Sequence, residues 1–154
     1  MAHPAIANQI GDLFAREEEG REPPYGTALD LGCGSGIWAV ELARRGWQVT
    51  GVDFVAKALR RARDRAKQSD VELRLFQGDV TDLRSTDPGS GFQLLLDFGC
   101  FHDELSDEQR KAEGREATAA AARDATLLLM AWKPGRRGPL PRRASSEEIQ
   151  GGSR

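Results

Sequence analysis

The sequence predicts an α/β domain with a doubly wound, mostly parallel sheet. Short apolar stretches alternate with helical patterns along most of the chain. A glycine-rich turn, Gly32-Cys33-Gly34-Ser35-Gly36, stands between the first such stretch and the helix that follows it. The run Leu94-Leu95-Leu96 is apolar without alternation, which suits a strand buried on both faces. Strands separated by helices pair in parallel through right-handed crossovers, and such sheets bind ligands beyond their C-terminal strand ends.

Each element follows from local pattern. Ile6, Ile10, Leu13 and Phe14 have the spacing of an amphipathic helix, which dissolves into the charged run 16–22 and stops at Pro23-Pro24. Residues 27–31 form the first strand. After the glycines, residues 37–45 form a helix with Arg44 and Arg45 in its last turn and Gly46 beyond it. Residues 47–52 are the second strand, with Gly51 a weak point. Residues 57–68 are helical, with Ala58, Leu59, Ala62 and Ala66 on one face and arginines on the other. Residues 71–76 alternate with period two, a third strand. Residues 84–91 hold Pro88 and two glycines and read as a loop before the fourth strand, 92–98. Ser106 and Gln109 have capping-box spacing and start a helix running to about residue 124. Residues 126–132 are a fifth, apolar strand.

The organisation expected is an N-terminal helix or cap over 1–22, the α/β domain over 23–135, and a basic, Pro/Gly-rich tail over 136–154. A chain of 154 residues can bury a real core, and a net charge of -2 argues against a dedicated nucleic-acid binder. No apolar run reaches membrane-span length, and the N-terminus lacks the pattern of a signal peptide. Cys33 and Cys100 form neither a disulfide framework nor a zinc-ligand set. These features predict a cytoplasmic protein with reduced thiols and no nucleic-acid, membrane or metal partner.

The glycine turn carries the chemistry. Glycine tolerates left-handed backbone angles and lets a ligand approach bare backbone. Free N–H groups at the next helix start can bind ligand oxygens. Gly34-Ser35-Gly36-Ile37-Trp38-Ala39 fits the dinucleotide fingerprint, with Asp53 17 residues after Gly36, so a nicotinamide cofactor stays open on this pattern.

Three motifs in order add to it: Asp30 ahead of the glycines, Asp53 closing the second strand, and Gly78-Asp79-Val80 after the third. Together, over roughly residues 24–135, they resemble the class I S-adenosylmethionine-dependent methyltransferases. The resemblance implies a Rossmann-like sheet in strand order 3-2-1-4-5. It implies that Asp30 lies near the cofactor's ammonium group, while Gly32, Cys33, Gly34 and Gly36 form the turn beneath its methionine portion. Asp53 would accept both ribose hydroxyls, Phe54 would flank the adenine, and Asp79 and Val80 would meet the adenine ring. Asp97 and Gly99 would shape the methionine end. His102, after the fourth strand, matches a histidine common in small-molecule members and is the candidate catalytic residue. General base, substrate-orienting group and structural residue all stay open for it. Taken singly, Asp53 also reads as a helix cap, Asp79 as a turn cap with Asp82, Trp38 as core packing and Cys33 as turn filler. The N-terminal helix either covers the pocket or packs on the sheet, and Tyr25 would border the pocket.

The family usually adds a final β-hairpin beside strand five. Here that hairpin is expected to be absent: Ser145 and Glu148 begin a helix pattern and no strand follows. The fifth strand would then be an open edge suited to self-association, in a chain cut short or completed by a partner. The activity implied is methyl transfer from S-adenosylmethionine to oxygen, sulfur or nitrogen of a small molecule, leaving S-adenosylhomocysteine. The alternatives are a NAD(P)-dependent oxidoreductase and a non-catalytic cofactor-binding or partner subunit.

Overall fold

β1 (Gly26–Leu31) lies inside the sheet, between β2 (Trp47–Asp53) and β4 (Phe92–Asp97), and is parallel to both. The computed structural model describes residues 4–98, 106–132 and 139–144. The remaining elements are α1 (Pro4–Glu18), α2 (Ile37–Arg45), α3 (Ala56–Gln68), β3 (Leu73–Gln77), α4 (Leu83–Thr86), α5 (Asp107–Ala120), β5 (Ala121–Trp132) and β6 (Pro139–Ala144). The sheet order is β3-β2-β1-β4-β5-β6. Its five parallel strands stand in the expected order 3-2-1-4-5.

Alternation along the strands sorts the core into two layers. Ala28, Val49, Leu94, Leu96 and Leu128 face α1 and α2, meeting Ile10, Phe14, Ala39 and Leu42. Leu29, Leu31, Val52, Leu95, Leu127 and Leu129 face the other way, meeting Leu83 of α4 and Ala117 and Ala120 of α5. Leu94, Leu95 and Leu96 are fully buried, which is why that run has no polar phase.

α1 packs on the sheet. Its Ile10 and Phe14 are fully buried, each contributing about 1.5–3 kcal/mol of apolar burial. The helix continues past Phe14 to Glu18, further into the charged run than apolar spacing suggests. An acidic residue at a helix C-terminus opposes the helix dipole. Glu18 is held there by Arg45 Nη1 at 2.9 Å and by the indole N–H of Trp47 at 2.9 Å. Glu18→Ala removes both partners and is expected to cost about 1–2 kcal/mol, read as a lower urea midpoint at unchanged slope.

Several boundaries differ from the sequence reading. A four-residue helix, α4, occupies part of the expected loop 84–91. The helix expected to reach about residue 124 stops at Ala120, and β5 begins at Ala121, which pairs with Phe92. Sheet pairing overrides the helix preference of the alanines there. The tail reading is corrected too. Residues 139–144 form β6, antiparallel to β5 from Trp132↔Pro139 to Leu127↔Ala144, so β5 is not an open edge. An edge offers a row of N–H and C=O groups that an extended segment satisfies. Pro139 and Pro141 are two residues apart, so their missing N–H groups fall on one side of the strand and the other side keeps its donors. The helix pattern at Ser145 lies outside the described residues. No described helix is long and apolar enough to cross a membrane.

Candidate functional site

Parallel pairing brings the C-terminal ends of β1, β2 and β4 side by side, and each places an aspartate there. Asp30 sits opposite Gly51 and Leu96; Asp53 and Asp97 are the last residues of their strands. Asp30 is 3% exposed and Asp97 1%. Burial pushes the Asp30 carboxyl up to about 7, and the charges of Asp97 and Asp53 add to the rise. The site therefore concentrates negative charge that nothing on β1 balances.

The glycine turn is built on β2. The N–H groups of Gly32 and Cys33 both donate to the Val52 carbonyl, at 2.8 and 3.0 Å. Gly34 then donates to Asp53 Oδ2 at 2.8 Å, and Val55 donates to Oδ1 at 2.9 Å. Each carboxylate oxygen keeps lone-pair capacity, so Asp53 is held in one orientation while still able to accept two more bonds. The Gly78 N–H donates to the Asp53 carbonyl at 3.0 Å, joining the end of β3 to the same point. A Cβ on Gly34 would meet nothing within 4 Å, so this part of the turn faces open space.

α3 supports the turn from behind. Arg65 Nε donates to the Ser35 carbonyl at 3.0 Å, and a Cβ on Gly36 would come within 2.9 Å of the Ala62 Cβ. Gly36 also has φ +82°, where a side chain is strained. Gly36→Ala is expected to cost about 2–3 kcal/mol, measured by urea unfolding. Cys33 does fill a small space: a Cβ on Gly51 would lie 2.9 Å from its Sγ, so the weak point in the second strand is where the turn rests.

The other predicted residues fall as follows. Phe54 is 74% exposed beside the Asp53 carboxylate, an open aromatic face. Val80 is buried with Leu83. Asp79 Oδ1 accepts from the Thr81 N–H and hydroxyl, at 2.8 and 2.6 Å, and the Asp82 N–H donates to the Asp79 carbonyl. One Asp79 oxygen thus shapes the turn. Asp53 does not cap α3, whose N-cap is Val55. Trp38 is half-buried, edge-on to Phe14 and Phe98 at 6.2 and 6.1 Å, so its role is packing beside the site. Tyr25 is a correction. It precedes β1 and packs on Trp47 at 5.6 Å, at the opposite end of the strands from the glycine turn. His102, Gly99 and Cys100 lie outside the described residues. A cleft of about 1050 Å³ lined by Thr27, Gln48, Arg74 and Ser90 opens at the strand starts and holds none of the predicted residues.

Glu113 of α5 escaped the sequence reading. It is 2% exposed and faces Asp97, and burial plus that contact push its carboxyl far above the usual range. The available signal was its helical spacing with Ala117 and Ala120, which puts a glutamate on the buried stripe.

A family model described as methyltransferase domain matches residues 28–123. The chain is 39% identical over 77 residues to a ubiquinone biosynthesis O-methyltransferase of Cronobacter sakazakii, covering 50% of this chain and 28% of that protein. It is 40% identical over 55 residues to ribosomal RNA small subunit methyltransferase C of Alcanivorax borkumensis, covering 36% and 17%. Its fold is similar to that of an S-adenosylmethionine-dependent methyltransferase from Clostridium acetobutylicum, with a TM-score of 0.68, 15% identity, and 80% and 48% of the two chains covered. The match spans less than a third of either curated relative's length and about half of that structure.

Proposed function

The chain belongs to the class I S-adenosylmethionine-dependent methyltransferases, and from that premise we propose that it transfers a methyl group from S-adenosylmethionine to a small-molecule acceptor. The observation that carries this reading is the convergence of Asp30, Asp53 and Asp97 around an open glycine turn. Such a site suits a ligand with a diol at one end and positive charge at the other. Asp53 is the residue to take the ribose hydroxyls, since its two oxygens are aligned by the Gly34 and Val55 N–H groups. Asp30 and Asp97 are the residues to face the ammonium end. Phe54, with its ring exposed, would flank the adenine, and Asp79 and Val80 would be the residues to meet the adenine ring.

The same charges count against a dinucleotide. A pyrophosphate on this turn would add negative charge to a cluster of acids whose mutual repulsion already raises Asp30, and like charges at short range repel strongly away from water.

When bound, S-adenosylmethionine supplies an electrophilic methyl group on a sulfonium sulfur. The protein's part is to hold the acceptor in line with that bond and to exclude water. His102 is the residue we assign to the acceptor side, as the base for a hydroxyl acceptor or as an orienting group for one that needs no base. Support for a small acceptor comes from the similarity to a ubiquinone biosynthesis O-methyltransferase and from the net charge of -2, which gives no overall attraction to a polyanion.

Calorimetry with S-adenosylhomocysteine and with NAD tests the cofactor. Binding of the first without the second is expected; the reverse overturns the reading. Methyl release from labelled cofactor across thiols, phenols, amines and an RNA fragment then identifies the acceptor class. Binding without release on any of them would make the chain a cofactor-binding protein.

A further inference from the structure

Two glutamates of α5 are buried, and they are satisfied differently. Glu116, 4% exposed, has Arg84 Nε 3.3 Å away, so a cation matches it. Glu113, 2% exposed and almost one turn earlier, meets Asp97 at the end of β4, itself 1% exposed. Two carboxyl groups in contact inside a protein cannot both carry charge. Burial and Asp97 favour the protonated form of Glu113; Asp79 adds to this and Arg110 opposes it. Burial and the neighbouring charge thus favour the protonated form of Glu113, and a hydrogen bond joins its side chain to that of Asp97.

Such a pair does little for stability, since apolar side chains of similar volume usually serve a core better. Its place in the fold explains it. Asp97 is the last residue of the strand beside β1, and its charge is felt at Asp30. We propose that Glu113 is a positioning residue for the cofactor: its hydrogen bond holds the Asp97 carboxylate aimed at the methionine end and keeps the pair at a single negative charge. A second charge at Glu113 would drive Asp30 further toward its neutral form and weaken its hold on a cation. This inference rests on the function proposed above.

The test uses the full chain with S-adenosylhomocysteine as probe. Glutamine at this position keeps a donor and no charge, so Glu113→Gln should bind within about twofold of wild type. Leucine fills the space without a donor, so Glu113→Leu should bind about tenfold more weakly or worse. The infrared carbonyl band of a protonated carboxylic acid should be present in the wild type at about pH 9, where Asp30 is ionised, and absent from Glu113→Gln. A purely space-filling role gives no glutamine–leucine contrast in binding. Leucine binding at wild-type strength, or a wild type that binds but lacks the band, overturns the inference and leaves the proposed function standing. A wild type that shows the band but binds no S-adenosylhomocysteine overturns the proposed function and the positioning role with it.

Discussion

Asp53→Ala is expected to lower affinity for S-adenosylhomocysteine about a hundredfold, close to 3 kcal/mol at about 1.4 kcal/mol per decade. Two losses combine. The carboxylate that would accept the ribose hydroxyls disappears, and hydrogen bonds to charged groups contribute about 1.5–3 kcal/mol each. The Gly34 and Val55 N–H groups also lose their acceptor, so Gly34 is no longer tied to the end of β2, while Gly32 and Cys33 keep the Val52 carbonyl. Asp53→Asn retains one acceptor oxygen and should fall between wild type and alanine. Calorimetry checks both. Wild-type affinity in Asp53→Ala would remove Asp53 from the ligand and leave it only the task of tying the turn. Unfolding should change little, because Asp53 is half-buried and both N–H groups can turn to water.

Asp30→Asn is expected to act in opposite directions on stability and binding. Burial and the neighbouring acids push the Asp30 carboxyl up to about 7 in the folded chain, from an ordinary value of 3.8. Between those values the folded state holds a proton that the unfolded state has released. Stability therefore falls as pH rises from about 4 to about 7. Asparagine removes the ionisation, so the variant should match wild type near pH 4 and exceed it by about 2–4 kcal/mol at pH 8, from about 1.4 kcal/mol per pKa unit. Urea unfolding at both pH values measures this. Binding should move the other way. Without a charge to face the ammonium group, affinity should drop about tenfold, mostly above neutral pH, because at lower pH wild-type Asp30 is itself protonated. A variant less stable than wild type at pH 8 would mean that Asp30 is stabilised by its neighbours, contrary to the repulsion among Asp30, Asp53 and Asp97.

Much of the fold was legible in the sequence because its signals are local. Gly46 ends α2 in a left-handed conformation, as a glycine after arginines suggests, and Ser106 and Gln109 make both bonds of the capping box. Alternation and unbroken apolar runs marked the strands. β6 was not legible, because Pro139 and Pro141 read locally as strand breakers. Its partner edge, not its own composition, makes it a strand. The start of β5 was misplaced for the same reason. Alanines that favour a helix became sheet once Phe92 offered a partner.

The site divides along the same line. Sequence order alone determined that an acid precedes the glycines, another closes the second strand and a third follows the third strand. Chain direction in a parallel sheet then places such residues at one end. The tertiary structure alone decided how they act together: Asp30 pushed up toward neutrality, Asp53 gripped by two backbone N–H groups, Glu113 buried against Asp97 with its carboxyl pushed far above the usual range. Spacing carries no information on these, since a carboxyl's charge state depends on how much water its neighbours exclude and on which other charges they bring near, and those neighbours come from β1, β2, β4 and α5 together.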